Sequence, residues 1–390
     1  MKFIPYSCQS VSEDDIEAVV AVMRSDFLTQ GPVVPAFEAA FAELHGVPHA
    51  VAVSNATAGL HIACLALGVG PGTRVWTSPN SFLASANCAL YCGASVDFVD
   101  IDPVTRNLSL ALLREKLERA ERDGTLPQVV IPVDFAGLPC DLKEMRELAD
   151  RYGFKILEDA SHATGASYQG RPVGSQYADA TVFSFHAVKI VTTAEGGLVA
   201  TRDPLLAHRL RLLRSHGMTR EAADLERQPD GPWYYEQQLL GYNHSITEMQ
   251  AALGLSQLKR LGEMHRRRQV LAERYDRLLA ALPLVLPARL PDRVSALHLY
   301  AVEVDETRTA VTREALFDRL REAQIGVNVH YIPIHTQPHY QRLGFQATDF
   351  PNSLRYYRRA ISIPLFPRLL EADQDRVVET LAAALGGQAG

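Results

Sequence analysis

From about residue 49 the chain alternates short apolar runs with longer amphipathic ones, and this rhythm limits the possible folds more than any other feature. His49 to Ser54, Arg74 to Thr77, Ser95 to Val99, Val129 to Asp134 and Lys155 to Glu158 read as strands. Between them Ala56 to Leu67, Leu83 to Tyr91, Leu108 to Arg122 and Leu142 to Tyr152 carry helical periodicity. Strands separated by helices require crossover connections, which predicts an α/β fold with a mostly parallel sheet covered on both faces. Ala180 to Phe185 and Gly197 to Thr201 are too close in sequence for another crossover helix, which predicts one antiparallel member. A long helical stretch over Ile246 to Leu282 follows, and the Pro- and Leu-rich segment Pro283 to Asp292 reads as a boundary. Beyond it, strands at Leu297 to Val304 and Val327 to Tyr331 and helices at Arg313 to Ala323 and Ala372 to Leu385 predict a small C-terminal α+β domain. The expected division is an N-terminal arm and large domain over 1–245, a connecting helical region over 246–282, and a small domain over 283–390.

Charge and cysteine usage exclude several classes of function. A net charge of −6 and a pI near 6.1 leave no basic footprint for nucleic acid or an anionic membrane. The run Arg266-Arg267-Arg268 reads as a solvated helix face. No apolar stretch reads as a signal peptide or a membrane span, so a cytoplasmic location is expected. The five cysteines are odd in number, scattered and set in apolar segments, which suits reduced buried thiols. His330, His335 and His339 form a histidine array, but Pro333 and Pro338 break any helix that would align them. No nearby acid or thiol completes a ligand set, and no metal is expected.

The residues that could carry chemistry lie at strand ends. Gly68-Val69-Gly70-Pro71-Gly72 follows a helix and precedes a strand, the reverse of a dinucleotide-binding turn, and reads as a helix end. Ser54-Asn55-Ala56-Thr57 sits where a strand gives way to a helix, a position that suits either a phosphate or a simple helix cap. Asp159 falls at the carboxyl end of a strand, the ligand-binding edge of an open parallel sheet. Lys189 follows an apolar strand in Phe183-Ser184-Phe185-His186-Ala187-Val188-Lys189 and precedes Thr192-Thr193-Ala194-Glu195-Gly196-Gly197. Desolvated there, it would be a Schiff-base nucleophile, and Asp159 would pair with a pyridinium nitrogen. Spacing alone also permits purely structural roles for both.

The phosphate turn, Asp159 with His162, Ser184 with Lys189, Glu195-Gly196-Gly197 and Gly241-Tyr242-Asn243 occur in one order along the chain. In that order the sequence resembles the DegT/StrS-type sugar-nucleotide aminotransferases of the fold-type I pyridoxal-phosphate (PLP) superfamily, from Leu28-Thr29-Gln30 to Ile363-Pro364-Leu365. The resemblance implies a large domain with a mostly parallel, seven-stranded-type sheet, and pyridoxal 5'-phosphate as cofactor. It implies that Lys189 carries the cofactor and shuttles protons, that Asp159 holds the pyridine nitrogen, and that His162 sits near the phenolic oxygen. Phe82 would stack on the ring, while Ala56, Thr57 and Ser184 would cradle the phosphate. Asn243 would reach the phosphate across a homodimer interface. Tyr6, Asp26, Phe27, Leu28, Thr29, His330, Tyr331, Ile332, Pro333 and Tyr340 align with positions that contact the sugar nucleotide.

Within the family, Arg214-Ser215-His216-Gly217, Asp230-Gly231-Pro232-Trp233-Tyr234-Tyr235 and Val329-His330-Tyr331-Ile332-Pro333-Ile334-His335 are most similar to the members of pseudaminic acid biosynthesis. These move nitrogen from L-glutamate to C4 of a UDP-linked 4-keto-6-deoxy-N-acetylhexosamine, giving UDP-4-amino-4,6-dideoxy-N-acetyl-β-L-altrosamine. Members making UDP-4-amino-4-deoxy-L-arabinose share Ser-Phe-His and the Glu-Gly-Gly run and are the alternative. One departure stands out: His244-Ser245 follows Asn243 where relatives often carry an aromatic residue and arginine, which bears on the cross-subunit contacts of that loop. Sugar dehydratases of the same fold replace the lysine by histidine, so Lys189 argues against them. A cysteine desulfurase would need a cysteine in an exposed loop, and a regulator on this scaffold would add a DNA-binding helix-turn-helix.

Overall fold

The computed structural model describes residues 2–386. Its main sheet has seven strands, here labelled β1 (His49–Val53), β2 (Arg74–Thr77), β3 (Ser95–Phe98), β4 (Val129–Ile131), β5 (Lys155–Asp159), β6 (Ala180–Ser184) and β7 (Gly197–Thr201). Their spatial order is β1-β7-β6-β5-β4-β2-β3. Every neighbouring pair is parallel except those of β7, which runs against both β1 and β6. The antiparallel member expected from the short β6–β7 connection is therefore β7. Because β7 alone is reversed, the carboxyl ends of the other six strands open on one edge.

Side chains alternate across the sheet as strand geometry requires. Val51, Val53, Val182 and Val199 face one apolar core with Leu60, Ile62, Leu206 and Leu210. Ala50, Ala52, Phe183, Leu198 and Ala200 face another with Phe37, Phe41, Ile246 and Leu258. Both faces are thus covered by helices. Two helices, Glu13–Met23 and Val33–His45, precede the first strand and were not legible in the sequence; the second lies on the sheet, and the first packs on the helix Glu248–Leu258. The first opens with a capping box between Ser12 and Asp15. The fully buried Asp15 then accepts from Gln257 and Arg260 at 2.7 and 2.6 Å.

The expected helix over Ile246 to Leu282 is two helices, Glu248–Leu258 and Leu261–Leu279. Between them Lys259 and Arg260 donate to Ser256 and Gln257, which tightens the turn by one residue and turns the Arg260 side chain toward Asp15. The arginine run is not a solvated face. Arg266 is exposed, but Arg268 is buried and donates to the carbonyls of Leu297, His298 and Leu365.

A three-stranded antiparallel sheet, β8 (Leu284–Val285), β9 (Tyr300–Val304) and β10 (Ala360–Ile363), forms the second centre of packing, in the order β8-β9-β10. Its core joins Leu271, Tyr275 and Leu279 to Val302, Leu316, Leu320, Ile361, Val377 and Leu381. Ile4 of the N-terminal arm is buried in this same core and bridges Ile325. Just beyond that contact, Val327 to Tyr331 is not a strand. The Gly326 N–H is bound to the Ile4 carbonyl, and only Asn328 pairs with the free edge of β10, at Ser362. Between β8 and β9 the chain returns to the first body, where Arg293–Val294 pairs with Ser167–Tyr168. No described helix is long and apolar enough to cross a membrane.

Candidate functional site

The edge where six strands end is the floor of a cavity of about 820 Å³. It is walled by segments 328–331 and His298 and by Tyr6 of the arm. Each expected cofactor residue within one chain reaches it for a local reason. Asn55 leaves β1 extended and caps the helix Ala56–Ala66 by accepting the Ala58 N–H at 2.8 Å. The Ala56 and Thr57 N–H groups are left at the positive end of that helix. The helix approaches β7 so closely that a Cβ on Gly197 would lie 2.6 Å from the Ala56 nitrogen. Asn55 is thus both a cap and part of the cavity wall, so the two readings of this turn coexist.

Asp159 ends β5 and is buried. One carboxylate oxygen accepts the Ser85 hydroxyl at 2.6 Å; the other accepts the Ser161 hydroxyl at 2.6 Å and its N–H at 3.1 Å. Ser184 ends β6, and the loop after it carries Lys189. That loop is clamped at its base by Phe185 N–H to Gly196 O and Thr193 N–H to Phe185 O, both 2.9 Å, and the Ser7 hydroxyl donates to the Val188 carbonyl at 3.4 Å. The Lys189 amine is surrounded by protein although the residue is only half-buried. Desolvation pulls its pKa down to about 8, against the opposing charge of Asp159.

Three histidines and a tyrosine enclose the amine. His162 and His298 pack ring to ring at 4.5 Å, and His162 Nε2 lies 3.1 Å from the Tyr331 hydroxyl. His330 Nδ1 lies 2.8 Å from the Ser362 hydroxyl. Burial, reinforced by the positive charge of Lys189, lowers the pKa of all three imidazoles, that of His330 to about 4. They are neutral at physiological pH. Phe82 is exposed at the rim, with its ring centroid 6.4 Å from that of Tyr331.

The expected residues do not all converge. Tyr6, Ala56, Thr57, Phe82, Asp159, His162, Ser184, Lys189, His330 and Tyr331 line the cavity. Tyr340 does not. It is buried in the sheet core, where its hydroxyl donates to Asn87 Oδ1 at 2.6 Å, because Phe98 and Phe345 draw its ring inward. Asp26, Phe27, Leu28 and Thr29 lie exposed away from this wall, as do Ile332 and Asn243, while Pro333 is buried beyond it. His335 turns from the other two histidines of its array toward the Ala347 carbonyl. His244, in place of the aromatic residue, stacks on Tyr242 at 5.2 Å and accepts the Ser54 N–H at its carbonyl. The sequence reading missed Ser85, Ser161 and His298; a lone histidine in the apolar run Ala296-Leu297-His298-Leu299 was the only sign of the last.

A half-buried lysine with a desolvated amine and a buried aspartate, flanking a helix N-terminus at the carboxyl edge of a mostly parallel sheet, define a PLP-dependent enzyme of fold type I. The groups present suit the cofactor: an amine, an acid for the ring nitrogen, and free N–H groups for the phosphate. The chain belongs to the DegT/DnrJ/EryC1/StrS aminotransferase family, which matches residues 9–382, and it is a PLP-dependent aminotransferase. It is 41% identical over 388 residues to the spore coat polysaccharide biosynthesis protein SpsC of Bacillus subtilis (strain 168), covering 99% of this chain and 98% of that one. Among solved structures it is similar to Helicobacter pylori PseC, an aminotransferase involved in the biosynthesis of pseudoaminic acid. That match has a TM-score of 0.90 and 30% identity, covering 99% of this chain and 100% of the other. It is also similar to the PLP-form of the sugar aminotransferase Spr1654 of Streptococcus pneumoniae, with a TM-score of 0.88 and 29% identity over 99% of both chains.

Proposed function

We propose that this enzyme transfers an amino group from L-glutamate to C4 of a UDP-linked 4-keto-6-deoxy-N-acetylhexosamine. The product would be UDP-4-amino-4,6-dideoxy-N-acetyl-β-L-altrosamine, made in the cytoplasm. The observation that carries the reading is full-length similarity to PseC together with a cavity large enough for a sugar beside Lys189. In this reading PLP, when bound, supplies the electron sink that makes the donor's α-proton acidic. The Lys189 amine holds the cofactor and moves that proton; Asp159, fixed by two hydroxyls, faces the ring nitrogen. Ala56, Thr57 and Ser184 hold the phosphate, His162 lies at the phenolic oxygen, and Phe82 covers the ring. Tyr6, His330 and Tyr331 border the space for the sugar. The exposed Asn243 serves the partner's site in a homodimer, and residues 26–29 and Ile332 meet substrate only in that assembly.

A second reading rests on the 41% identity to SpsC: the acceptor is another 4-keto sugar nucleotide, destined for a surface polysaccharide. A UDP-4-keto-pentose is the further alternative. Offering glutamate with a panel of UDP- and dTDP-linked 4-keto sugars, and identifying the amino sugar by mass spectrometry and NMR, separates these readings. Preference for the N-acetylated hexosamine supports the first; preference for a pentose or a dTDP sugar overturns it.

The lowered pKa of Lys189 gives a second expected result. Only the neutral amine attacks, so the rate of PLP capture by the apo-protein, followed by absorbance, is expected to rise with pH and level off above about 8. A rate still climbing steeply near pH ~10, the ordinary lysine range, would contradict the role given to this amine.

A further inference from the structure

Directly behind Asp159 lie two more carboxyl groups that the chemistry above leaves without a part. Asp134 follows β4 and Glu158 lies on β5, its parallel neighbour, and both are wholly buried. One oxygen of each is satisfied: Asp134 Oδ1 accepts the Cys140 N–H at 2.9 Å, and Glu158 Oε2 accepts the Thr181 hydroxyl at 2.7 Å. The remaining two, Asp134 Oδ2 and Glu158 Oε1, have no hydrogen-bond partner, although the two side chains are within hydrogen-bonding reach of each other; the Cys140 thiol, which also adjoins Asp134, donates to the Val133 carbonyl at 3.3 Å. Neither acid forms an ion pair among the described residues, and the titratable groups facing them are Asp159 and the Cys140 thiol. Ionised carboxylates have no proton to donate, and two of them side by side in a dry core repel. Two bare oxygens brought together there require a proton between them.

We propose that Glu158 and Asp134 share one proton, donated by Glu158, so that the pair presents one negative charge behind Asp159 and acts as a positioning element for the cofactor's ring nitrogen. Burial and the neighbouring carboxylates push both groups above the usual range, Glu158 further than Asp134. The backbones are coupled as well: the Asp134 N–H donates to the Asp159 carbonyl at 3.1 Å, so a shift in one acid moves the other. The effect on the ring nitrogen rests on the role proposed above for Asp159; the shared proton does not.

The proton can be read without cofactor. Infrared spectra of the apo-protein near neutral pH are expected to show the C=O stretch of a protonated carboxyl, shifted in D2O, under conditions where exposed acids are ionised. Glu158→Gln replaces the acid by an amide that can donate the same hydrogen bond. It is expected to abolish the band yet leave PLP affinity within about threefold of wild type. Asp134→Asn removes the charge instead; it is expected to keep the band and lower by about one unit the pH at which the bound cofactor's absorbance titrates, with about tenfold weaker binding. No protonated-carboxyl band in the wild type, or a band that survives in Glu158→Gln, overturns the shared proton even if Asp134→Asn does not fold. The expected band combined with unchanged titration and affinity in Asp134→Asn overturns the positioning role. Asp159→Asn, measured alongside, tests the Asp159 assignment separately, because it is expected to leave the band intact.

Discussion

Lys189→Ala is expected to lower aminotransfer by roughly 10⁴-fold, the upper range for loss of a positioned acid–base group, and to leave the protein without covalently held cofactor. Two properties of the site make the loss this large. The amine is a basic group that burial brings within reach of neutral pH, its pKa drawn to about 8. Burial lowers the surrounding imidazoles too, His162 and His298 far below their ordinary value, so they stay neutral and none is a ready proton carrier at neutral pH. Lys189→Arg is the telling companion. It keeps the charge and much of the length but cannot deprotonate, and is expected to be as inactive as alanine. Borohydride reduction of the wild type should fix cofactor to Lys189, seen by peptide mass, and neither variant should be labelled. Partial recovery of Lys189→Ala by a small added amine would point to the amine itself as what is missing. Substantial turnover in Lys189→Ala without added amine would sink the assignment.

The sequence disclosed the scaffold of this site better than its interior. The alternation of apolar runs and helical periodicity placed Arg74–Thr77, Leu142–Tyr152 and Gly197–Thr201 at their observed bounds, because buried strands write short apolar runs and amphipathic helices a 3.6-residue period. Asp159 and Lys189 were visible for the same reason, as polar residues at the ends of apolar strands. What surrounds them was not. His298 reaches the cavity, and Ser85 reaches Asp159, from segments far apart in the chain, and nothing local marks a serine in a helix as the partner of a distant carboxylate. Arg268 was misread because charge in an acidic and basic helix normally faces water; here three carbonyls satisfy it inside the protein. Tyr340 lies in the sheet core instead of the cavity wall, and nothing local in the sequence marks which side of a short helix faces the cleft. The strand expected over Val327 to Tyr331 is reduced to one bridge, Asn328 with Ser362, and the neighbouring Ile325 pairs with the N-terminal arm across more than three hundred residues, which no window of sequence contains.

Asp159→Asn is the second change of large expected effect, a loss of roughly 10²–10³-fold in turnover together with weaker PLP binding. The estimate follows from the cost of breaking a buried, hydrogen-bonded charge pair, about 3–5 kcal/mol, at about 1.4 kcal/mol for each factor of ten. Asparagine preserves the shape and can still meet the Ser85 and Ser161 hydroxyls, so the helix and strand ends should stay where they are. What it removes is the negative charge, and with it the bias toward a protonated ring nitrogen. Asp159→Glu restores the charge but pushes it further into the cavity, and is expected to recover cofactor affinity more than turnover. The discriminating readout is the pairing of kinetics with stability. If Asp159 merely fastens β5 to Ser85 and Ser161, Asp159→Asn should lower the melting temperature of the apo-protein and leave kcat nearly intact. If it governs the cofactor, the apo-protein should melt close to wild type while kcat falls and the bound cofactor's absorbance titrates at lower pH. The donors already aimed at its two oxygens favour the second outcome, because they hold the carboxyl group in place before any ligand arrives.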